Sequence, residues 1–541
     1  MAPAGRGAGA ERSDGGVPVP RRDVPSVPGV ERPSASAPRA GQPSGPVAGQ
    51  PAGQPVAGQP VTGWPSVPGA SPSVPAPRSG NDKPAAGTAA PTANVSDRGE
   101  AVCVIGAGGS GLAAIKNFKQ HGFDVDCYER ETGVGGAWNW RHDRSPVYAS
   151  THLISSKPFT QFPDFPMPDD WPDYPHHSRL LAYFERYTDH FGLREHIWFG
   201  TEVVKVVPTN EDDPNTSWDV TVKGVRGGSE KTLRYAAVVV ANGHNWAPKL
   251  PSYPGLDTFQ GTVLHASAYK DAAQLRGKRV LVVGAGNTGC DIAVEGAQQG
   301  ARCWHSSRRG YWYAPKYAFG KPADQVNDRV LGLGVPLKIR QWLFHFTMRL
   351  TVGDLQRFGL PKPDHKIYET HPISNSQLVY HVGHGGITPV PDIERFDGNQ
   401  VVFTDGSTAD PEVVVLATGY LPRFEFLAPR LYGGDDRGRP HLRWQLFSPA
   451  HPTLSFVGLV QPDSGIFTIC HWQSELAAAW LRLNDTAPDR ASAWWRKAVE
   501  PGGKYSDADV KDSSRHWLEV SHWVYLKALE RALKSLERVP A

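Results

Sequence analysis

Two glycine-rich turns of one form, Gly106-Ala107-Gly108-Gly109-Ser110-Gly111 and Gly284-Ala285-Gly286-Asn287-Thr288-Gly289, each follow a short β-branched apolar run. The runs, Ala101–Ile105 and Arg279–Val283, read as buried parallel strands, and each turn opens a helix. In such a strand–turn–helix the first glycine permits the tight turn and the second lets the backbone approach a pyrophosphate. The third lets helix and strand close together, so that the helix N-terminus faces the phosphates. Gly106, Gly108, Gly109 and Gly111 therefore mark one dinucleotide site. Gly284, Gly286, Asn287, Thr288 and Gly289 mark a second. The fold class that follows is α/β, with two Rossmann-type domains facing one another across a site.

What comes after each turn separates the two sites. The next strand of the first, Asp124–Tyr128, ends in Glu129, an acid placed for a ribose 2′-hydroxyl. Beyond it lies Gly135-Gly136-Ala137-Trp138. A glycine pair followed by an aromatic suits a flavin, whose flat ring needs close backbone and a wall, so Gly136, Ala137 and Trp138 are assigned to FAD. The next strand of the second site, Ala301–His305, ends in Ser306-Ser307-Arg308-Arg309. An acid there would repel a 2′-phosphate, whereas Ser307 and Arg308 can hydrogen-bond it, which selects NADPH over NADH.

The chain of 541 residues has room for two or three domains, and its net charge of +3 gives no reason to invoke nucleic acid or an anionic membrane. Residues 1–99 are rich in Pro, Gly, Ala and Ser, hold no Leu, Ile or Phe, and have Trp64 as their one aromatic. Such a segment cannot offset its ordering entropy and is expected to be a disordered tail. No apolar signal region opens the chain and no run of 18 apolar residues follows, so neither secretion nor a membrane span is expected. Cys103, Cys127, Cys290, Cys303 and Cys470 form no CxxC pair and no metal spacing, which fits inert thiols in a reducing cytoplasm. His176 and His177 read as surface residues and no metal site is expected.

The expected domains are an FAD domain over 100–261 and 386–541, with an NADPH domain and helical insertion over 262–385. Thr151–Lys157 leads into Phe162-Pro163-Asp164-Phe165-Pro166-Met167-Pro168-Asp169-Asp170, where proline density denies a helix or central strand. The loop is expected to be pinned by its aromatics or to wall the site. Ala236–Gly243 and Val413–Tyr420 read as buried strands ending in small-residue turns. The last helix, about His516–Leu536, carries an apolar stripe that serves as core or as a homodimer contact.

Taken together these residues resemble the class B flavin-containing monooxygenases over about residues 100–537. The most specific piece is F-x-G-x-x-x-H-x-x-x-Y, present as Phe259, Gly261, His265 and Tyr269. The FPDFPMPDD loop, the Ala417–Tyr420 strand end and Gly458-Leu459-Val460-Gln461-Pro462 agree with it. The resemblance implies an FAD- and NADPH-dependent enzyme that uses O2, forms a C4a-hydroperoxyflavin and oxygenates a small molecule. It places Ser155 and Gln461 at the cofactor, and Ile154, Asn242 and His265 at the reacting centre. Aligned on Ser155-Ser156-Lys157, Ile154 stands where the family often has an Asn that meets flavin and nicotinamide, with His152 and Asn242 as polar groups nearby. Related Baeyer–Villiger enzymes end the histidine motif in Trp, so Tyr269 favours a soft N or S nucleophile. The alternatives are oxygen insertion into a ketone and an uncoupled NADPH oxidase releasing peroxide.

Overall fold

The first glycine turn leaves the centre of a five-stranded, all-parallel sheet in the order Leu454–Phe456, Ala237–Val240, Val102–Ile105, Val125–Tyr128 and Ile197–Trp198. The protein is described here by a computed structural model over residues 95–370, 372–497, 505, 506, 508 and 516–538. Successive residues of the central strand enter different cores, as expected for a strand covered on both faces. Val102 and Val104 meet helices α1 (Gly109–Gln120) and α2 (His177–His190), whereas Cys103 and Ile105 face Trp218, Val220 and Tyr235 of an adjoining sheet. Each fully buried apolar side chain of this kind contributes about 1.5–3 kcal/mol.

The second glycine turn repeats the plan. Its strand Arg279–Val283 lies inside a parallel sheet ordered Thr262–His265, Val413–Leu416, Arg279–Val283, Arg302–Ser306 and Thr388–Val390. Val280 and Val282 meet helix α3 (Asn287–Gln299), while Leu281 and Val283 meet Phe396, Val401 and Phe403 of a small antiparallel sheet. That small sheet, Ile393–Asp397, Gln400–Phe403 and Thr408–Ala409, makes its second turn at Asp405-Gly406, where the Gly406 N–H meets the Phe403 carbonyl. The expected boundary at 385 therefore cuts the second sheet. Thr388–Val390 and Val413–Leu416 lie beyond it in sequence and inside it in space, because the central pair closes only after the 393–409 excursion.

Helices α4 (Ala323–Gly332) and α5 (Leu337–Thr351) form the helical insertion. Helix α6 (Phe467–Thr486) covers α1, and α7 (His522–Glu537) turns Tyr525, Leu529, Ala532 and Leu536 into the first core. The apolar stripe of the last helix is thus core. At the other end, Val95–Asp97 pairs in parallel with Lys231–Tyr235, so ordered backbone begins before the expected tail boundary at 99. The rest of the expected tail lies outside the described residues. Among the described residues no helix is long and apolar enough to cross a membrane.

The proline-rich loop is pinned by its rings. Phe162 is wholly buried against Tyr183, Tyr187 and Phe467, and Phe165 meets Tyr187 and Phe191. Tyr183 Oη accepts from the Phe162 N–H and donates to the Phe165 carbonyl. The buried ammonium of Lys116 on α1 pairs with Asp164 at the loop's apex. All five cysteines are free and buried, and burial pushes the Cys303 and Cys470 thiols up to about 12.

Candidate active site

Around the start of α1 four backbone segments converge so closely that only glycine fits. Gly106 has φ 100°, and a Cβ there would lie 2.8 Å from the Ala241 carbonyl oxygen. A Cβ on Gly111 would fall 1.8 Å from the Gly106 carbonyl oxygen, and one on Gly136 2.9 Å from Gly108 Cα. From the other side, a Cβ on Gly458 would meet Ser110 Oγ at 2.1 Å. Helix α1 begins with Gly108 as its N-cap and no side-chain cap, which leaves first-turn N–H groups for an anion. A Cβ on Gly109 would meet the rings of Phe467 and Phe184.

Glu129 closes this cradle. One carboxylate oxygen accepts the Ala107 N–H at 2.7 Å and the other the Glu131 N–H at 2.8 Å. Burial raises its pKa, and the two amide bonds oppose that shift. Gly135 and Gly136, both at positive φ, lead into a single 3-10 turn, Gly136–Trp138. Trp138 is half-buried against the core, and the Ala137 carbonyl accepts from Ser145 Oγ at 2.6 Å. Past Asn242, His244 Nδ1 and Trp246 Nε1 are buried without a hydrogen-bond partner. A backbone cradle, an uncapped helix start, a buried acid and two orphaned polar atoms are what a dinucleotide with a flat ring system needs. The residues fit FAD.

The second cradle has the same logic. Gly284 has φ 113°, and its Cβ would lie 2.4 Å from the Ala417 carbonyl oxygen; a Cβ on Gly289 would lie 1.9 Å from that of Gly284. Gly286 caps α3 without a side-chain bond, and Thr288 stands half-exposed in the first turn. Asn287 Oδ1 accepts from the Ser374 N–H at 3.0 Å. Ser307 is buried, its N–H on the Val390 carbonyl at 3.1 Å. Arg308 is exposed, and its charge together with burial lowers the pKa of Lys249. Arg309 leaves in another direction: Nη2 donates to His516 Nε2 at 2.7 Å, and His516 Nδ1 meets Glu519 at 2.5 Å. The rim therefore carries Ser307, Arg308 and Lys249, a set that fits a 2′-phosphate. Lys249 was not legible in the sequence, since it belongs to the connector and not to the motif.

The loop 145–176 joins the cradles. Tyr148 Oη donates to Asp291 on α3 at 2.8 Å, and the Ser156 N–H donates to Asp324 on α4 at 2.6 Å. Lys270 Nζ reaches the Ser145 carbonyl at 2.5 Å, and Lys316 Nζ the Leu153 carbonyl at 3.5 Å. Ser155 Oγ lies 2.9 Å from Thr160 Oγ1 within this loop. Ile154 is 40 % exposed. Gln461 gives its N–H to the Leu518 carbonyl at 2.6 Å, while its side chain is half-buried.

The histidine motif is a strap. Phe259 packs on Phe396, and a Cβ on Gly261 would strike the Phe259 ring and the Glu412 carbonyl oxygen. His265 Nδ1 accepts the Ser267 N–H at 3.1 Å, which puts the ring proton on Nε2, 3.1 Å from the Gly419 carbonyl. Burial lowers its pKa, so the ring is neutral and both nitrogens are engaged. Tyr269 is wholly buried with its hydroxyl on Glu295 of α3. Asn242 Nδ2 donates to the Arg423 carbonyl at 3.0 Å. Asn242 and His265 thus meet the same 419–423 segment, and no hydrogen bond or ring contact among the described residues joins either to Ile154.

His177, expected at the surface, is buried beside His176, and burial lowers its pKa to about 4. Its neighbour caps α2, accepting from the Ser178 N–H. Among the described residues no group of three or more His, Cys, Asp or Glu side chains is arranged to hold a metal ion.

The model of the flavin-binding monooxygenase-like family matches residues 99–505. The chain belongs to that family. This flavin-binding monooxygenase is 34% identical over 393 residues to a rat (Rattus norvegicus) dimethylaniline monooxygenase [N-oxide-forming] 2, covering 70% of this chain and 72% of the relative. To flavin-containing monooxygenase 5 of Oryctolagus cuniculus it is 32% identical over 407 residues, covering 71% and 73%. Among solved structures its fold is similar to that of S-allyl-L-cysteine S-oxygenase from Allium sativum, with TM-score 0.55 at 21% identity over 80% of this chain and 88% of the other. It is also similar to cyclohexanone monooxygenase from Rhodococcus sp. Phi1, with TM-score 0.59 at 19% identity over 82% and 99%. The flavin-binding monooxygenase is an oxidoreductase that uses FAD, NADPH and O2.

Proposed function

We propose that this monooxygenase transfers one oxygen atom to a soft nitrogen or sulfur nucleophile of a small molecule. The observation that carries this reading is the kinship, 34% identity across 70% of the chain, with an enzyme named for forming N-oxides. The site's chemistry agrees with it. A neutral amine or sulfide takes oxygen without a general acid or base, and the loop that bridges the cradles presents an apolar Ile154 between backbone-bonded neighbours. Bound FAD, reduced by NADPH, supplies the two electrons with which O2 yields one transferable oxygen atom and one water.

The chain's own residues bind, orient and exclude water. The cradle of Gly106, Gly108, Gly111 and Gly136 takes one pyrophosphate, and Glu129 fixes the turn through Ala107. The second cradle, with Ser307, Arg308 and Lys249 at its rim, takes the 2′-phosphorylated dinucleotide. Tyr148, Ser156, Lys270 and Lys316 hold the bridging loop between them. His265 acts here as a positioning residue, its neutral ring tying Thr262–His265 to the 419–423 turn.

The test is aerobic turnover with NADPH and, in parallel, a tertiary aryl amine, a thioether and a cyclic ketone, reading product mass, NADPH consumed and peroxide released. Oxide products from amine or thioether in step with NADPH are expected. Lactone from the ketone with no amine or thioether oxide would assign ketone insertion instead. Peroxide equal to NADPH under every condition would make the protein an oxidase.

A further inference from the structure

Arg308 and Arg309 are adjacent, yet they are held differently. Arg309 is half-buried, its Nε donating to Tyr311 Oη at 3.2 Å and its guanidinium lying 5.4 Å from the centre of the Tyr311 ring. From there Nη2 reaches His516 Nε2 at 2.7 Å, and His516 Nδ1 lies 2.5 Å from a Glu519 carboxylate oxygen. A guanidinium only donates, so Nε2 accepts and the ring proton sits on Nδ1, where the carboxylate receives it. The bonds therefore run one way, from Arg309 through a neutral imidazole to Glu519. The His516 side chain is 1% exposed and that of Glu519 8%. A cation and an anion joined through a ring in so dry a place are held to one geometry, because losing the ring costs the buried carboxylate a donor.

Glu519 carries the connection further. Glu519–Val520 runs parallel to Gln461–Pro462 with Glu519 opposite Gln461, and the Gln461 N–H donates to the Leu518 carbonyl at 2.6 Å. A little before Gln461 in sequence, Gly458 is packed so closely on the first glycine turn that a Cβ would lie 2.1 Å from Ser110 Oγ. A continuous set of short contacts thus runs from the rim of the second cradle, through Arg309, His516, Glu519 and Gln461, to the first cradle at Ser110. The bonds of Tyr148 to Asp291, Ser156 to Asp324, Lys270 to Ser145 and Lys316 to Leu153 also join the two modules, but all of them pass through the bridging loop. Arg309 reaches past that loop to the segment that builds the first cradle.

We infer that Arg309, His516 and Glu519 form a latch that sets where the second cradle stands relative to the first, and so act as positioning residues for electron transfer from NADPH to FAD. They touch neither cofactor to do this. The two dinucleotides are held by different sheets, so the gap between their reacting rings depends on how those sheets are tied together and not on either cradle alone. A misplacement of about 1 Å costs on the order of 10²-fold in rate, while each cradle still binds its own dinucleotide. The latch therefore governs the rate at saturation and not the affinity. It is indifferent to the 2′-phosphate, which falls to Arg308, and it operates whichever nucleophile accepts the oxygen.

The experiment uses the full-length, FAD-loaded chain, mixed with NADPH or NADH without oxygen in a stopped-flow absorbance instrument. His516→Leu should lower the limiting rate of flavin reduction about tenfold or more, with the coenzyme concentration for half-maximal rate changed by less than about threefold. The fall should be the same for NADPH and NADH. His516→Gln, whose side-chain oxygen can take the place of Nε2 and accept from Arg309, should recover most of the rate. Arg309→Ala should also slow reduction, and the Arg309→Ala/His516→Leu double variant should be no slower than the worse single variant. A second readout needs no turnover. Hydrogen–deuterium exchange of the FAD-loaded, NADPH-free chain should be faster in His516→Leu over both 303–311 and 456–463. The inference is overturned if the limiting rate is unchanged, if half-saturation alone moves, or if the two single effects multiply in the double variant. It is overturned too if exchange rises around 516–520 alone, which would make the triad a local support of the C-terminal segment. Should His516→Leu fail to hold FAD, Arg309→Ala set against His516→Gln gives the same comparison.

Discussion

Tyr269 and Glu295 meet through a hydrogen bond between the phenolic hydroxyl and the carboxylate, and that bond ties the end of the histidine motif to helix α3. The other oxygen of Glu295 accepts from Ser150 Oγ. One carboxylate therefore clamps the strap of the second cradle and the loop that bridges to the first. Burial and the neighbouring carboxylate both raise the Tyr269 pKa, so the hydroxyl keeps its proton as donor. Tyr269→Phe should lower stability by about 1–2 kcal/mol. It should also raise KM for NADPH more than it lowers kcat, which thermal melts and steady-state kinetics would show. Unchanged values in both would reduce this bond to ornament.

Gly136→Ala should leave the fold intact and the protein pale. The added Cβ meets Gly108 Cα at 2.9 Å, backbone against backbone, and the residue sits at φ 52°. Only the single 3-10 turn Gly136–Trp138 includes this position and no strand or α-helix does, so far-UV circular dichroism should match the parent. Flavin absorbance after gel filtration should report FAD affinity weakened by about tenfold or more, given ~1–2 kcal/mol of strain.

The two adjacent arginines should behave differently. Arg308→Ala removes a charged donor at the rim and should cut the NADPH-over-NADH preference by about 10- to 100-fold. Arg309→Ala, whose parent side chain is held by His516 and Tyr311, should leave that preference alone and cost stability instead. Ratios of kcat/KM for the two coenzymes decide the matter, and equal effects in both variants would contradict the assignment.

Acid should destabilise the protein well before its carboxylates titrate. Burial lowers His244 and His522 to about 4, against about 6.5 in an unfolded chain. Between these values the unfolded state binds more protons, so stability falls as pH drops from about 6.5 to 4, by about 3 kcal/mol per histidine at the limit. Melting temperature against pH should show that slope, and His522→Gln should flatten it. A parallel curve in the variant would mean that other groups dominate.

How much was legible beforehand follows from what each feature depends on. Both glycine turns depend on residues adjacent in sequence, so Gly106 to Gly111 and Gly284 to Gly289 carried their geometry on their face. The partner of Tyr269 did not, because Glu295 is one of several polar residues on α3 and only the packing chooses it. The bond from the Ser374 N–H to Asn287 was not legible either, because the two residues are far apart in sequence. His177 looked like a surface residue in a proline-rich loop, yet the start of α2 carries it inward. The limits of the second domain failed for a topological reason: Val413–Leu416 returns beside Arg279–Val283 from more than a hundred residues away.

The antiparallel contact of Ala247–Pro248 with Tyr420–Leu421, reinforced by Lys249 N–H on the Gly419 carbonyl at 2.9 Å, has an architectural meaning. Every strand of the second parallel sheet lies between these two passes of the chain, and every strand of the first lies outside them. The segment from Lys249 to Gly419 enters and leaves at one doorway. Joining Pro248 to Tyr420 would excise it as a closed loop and leave each strand of the first sheet with its neighbours. The second fold is thus a guest module, one that gene rearrangement can lift in or out without unpicking its host.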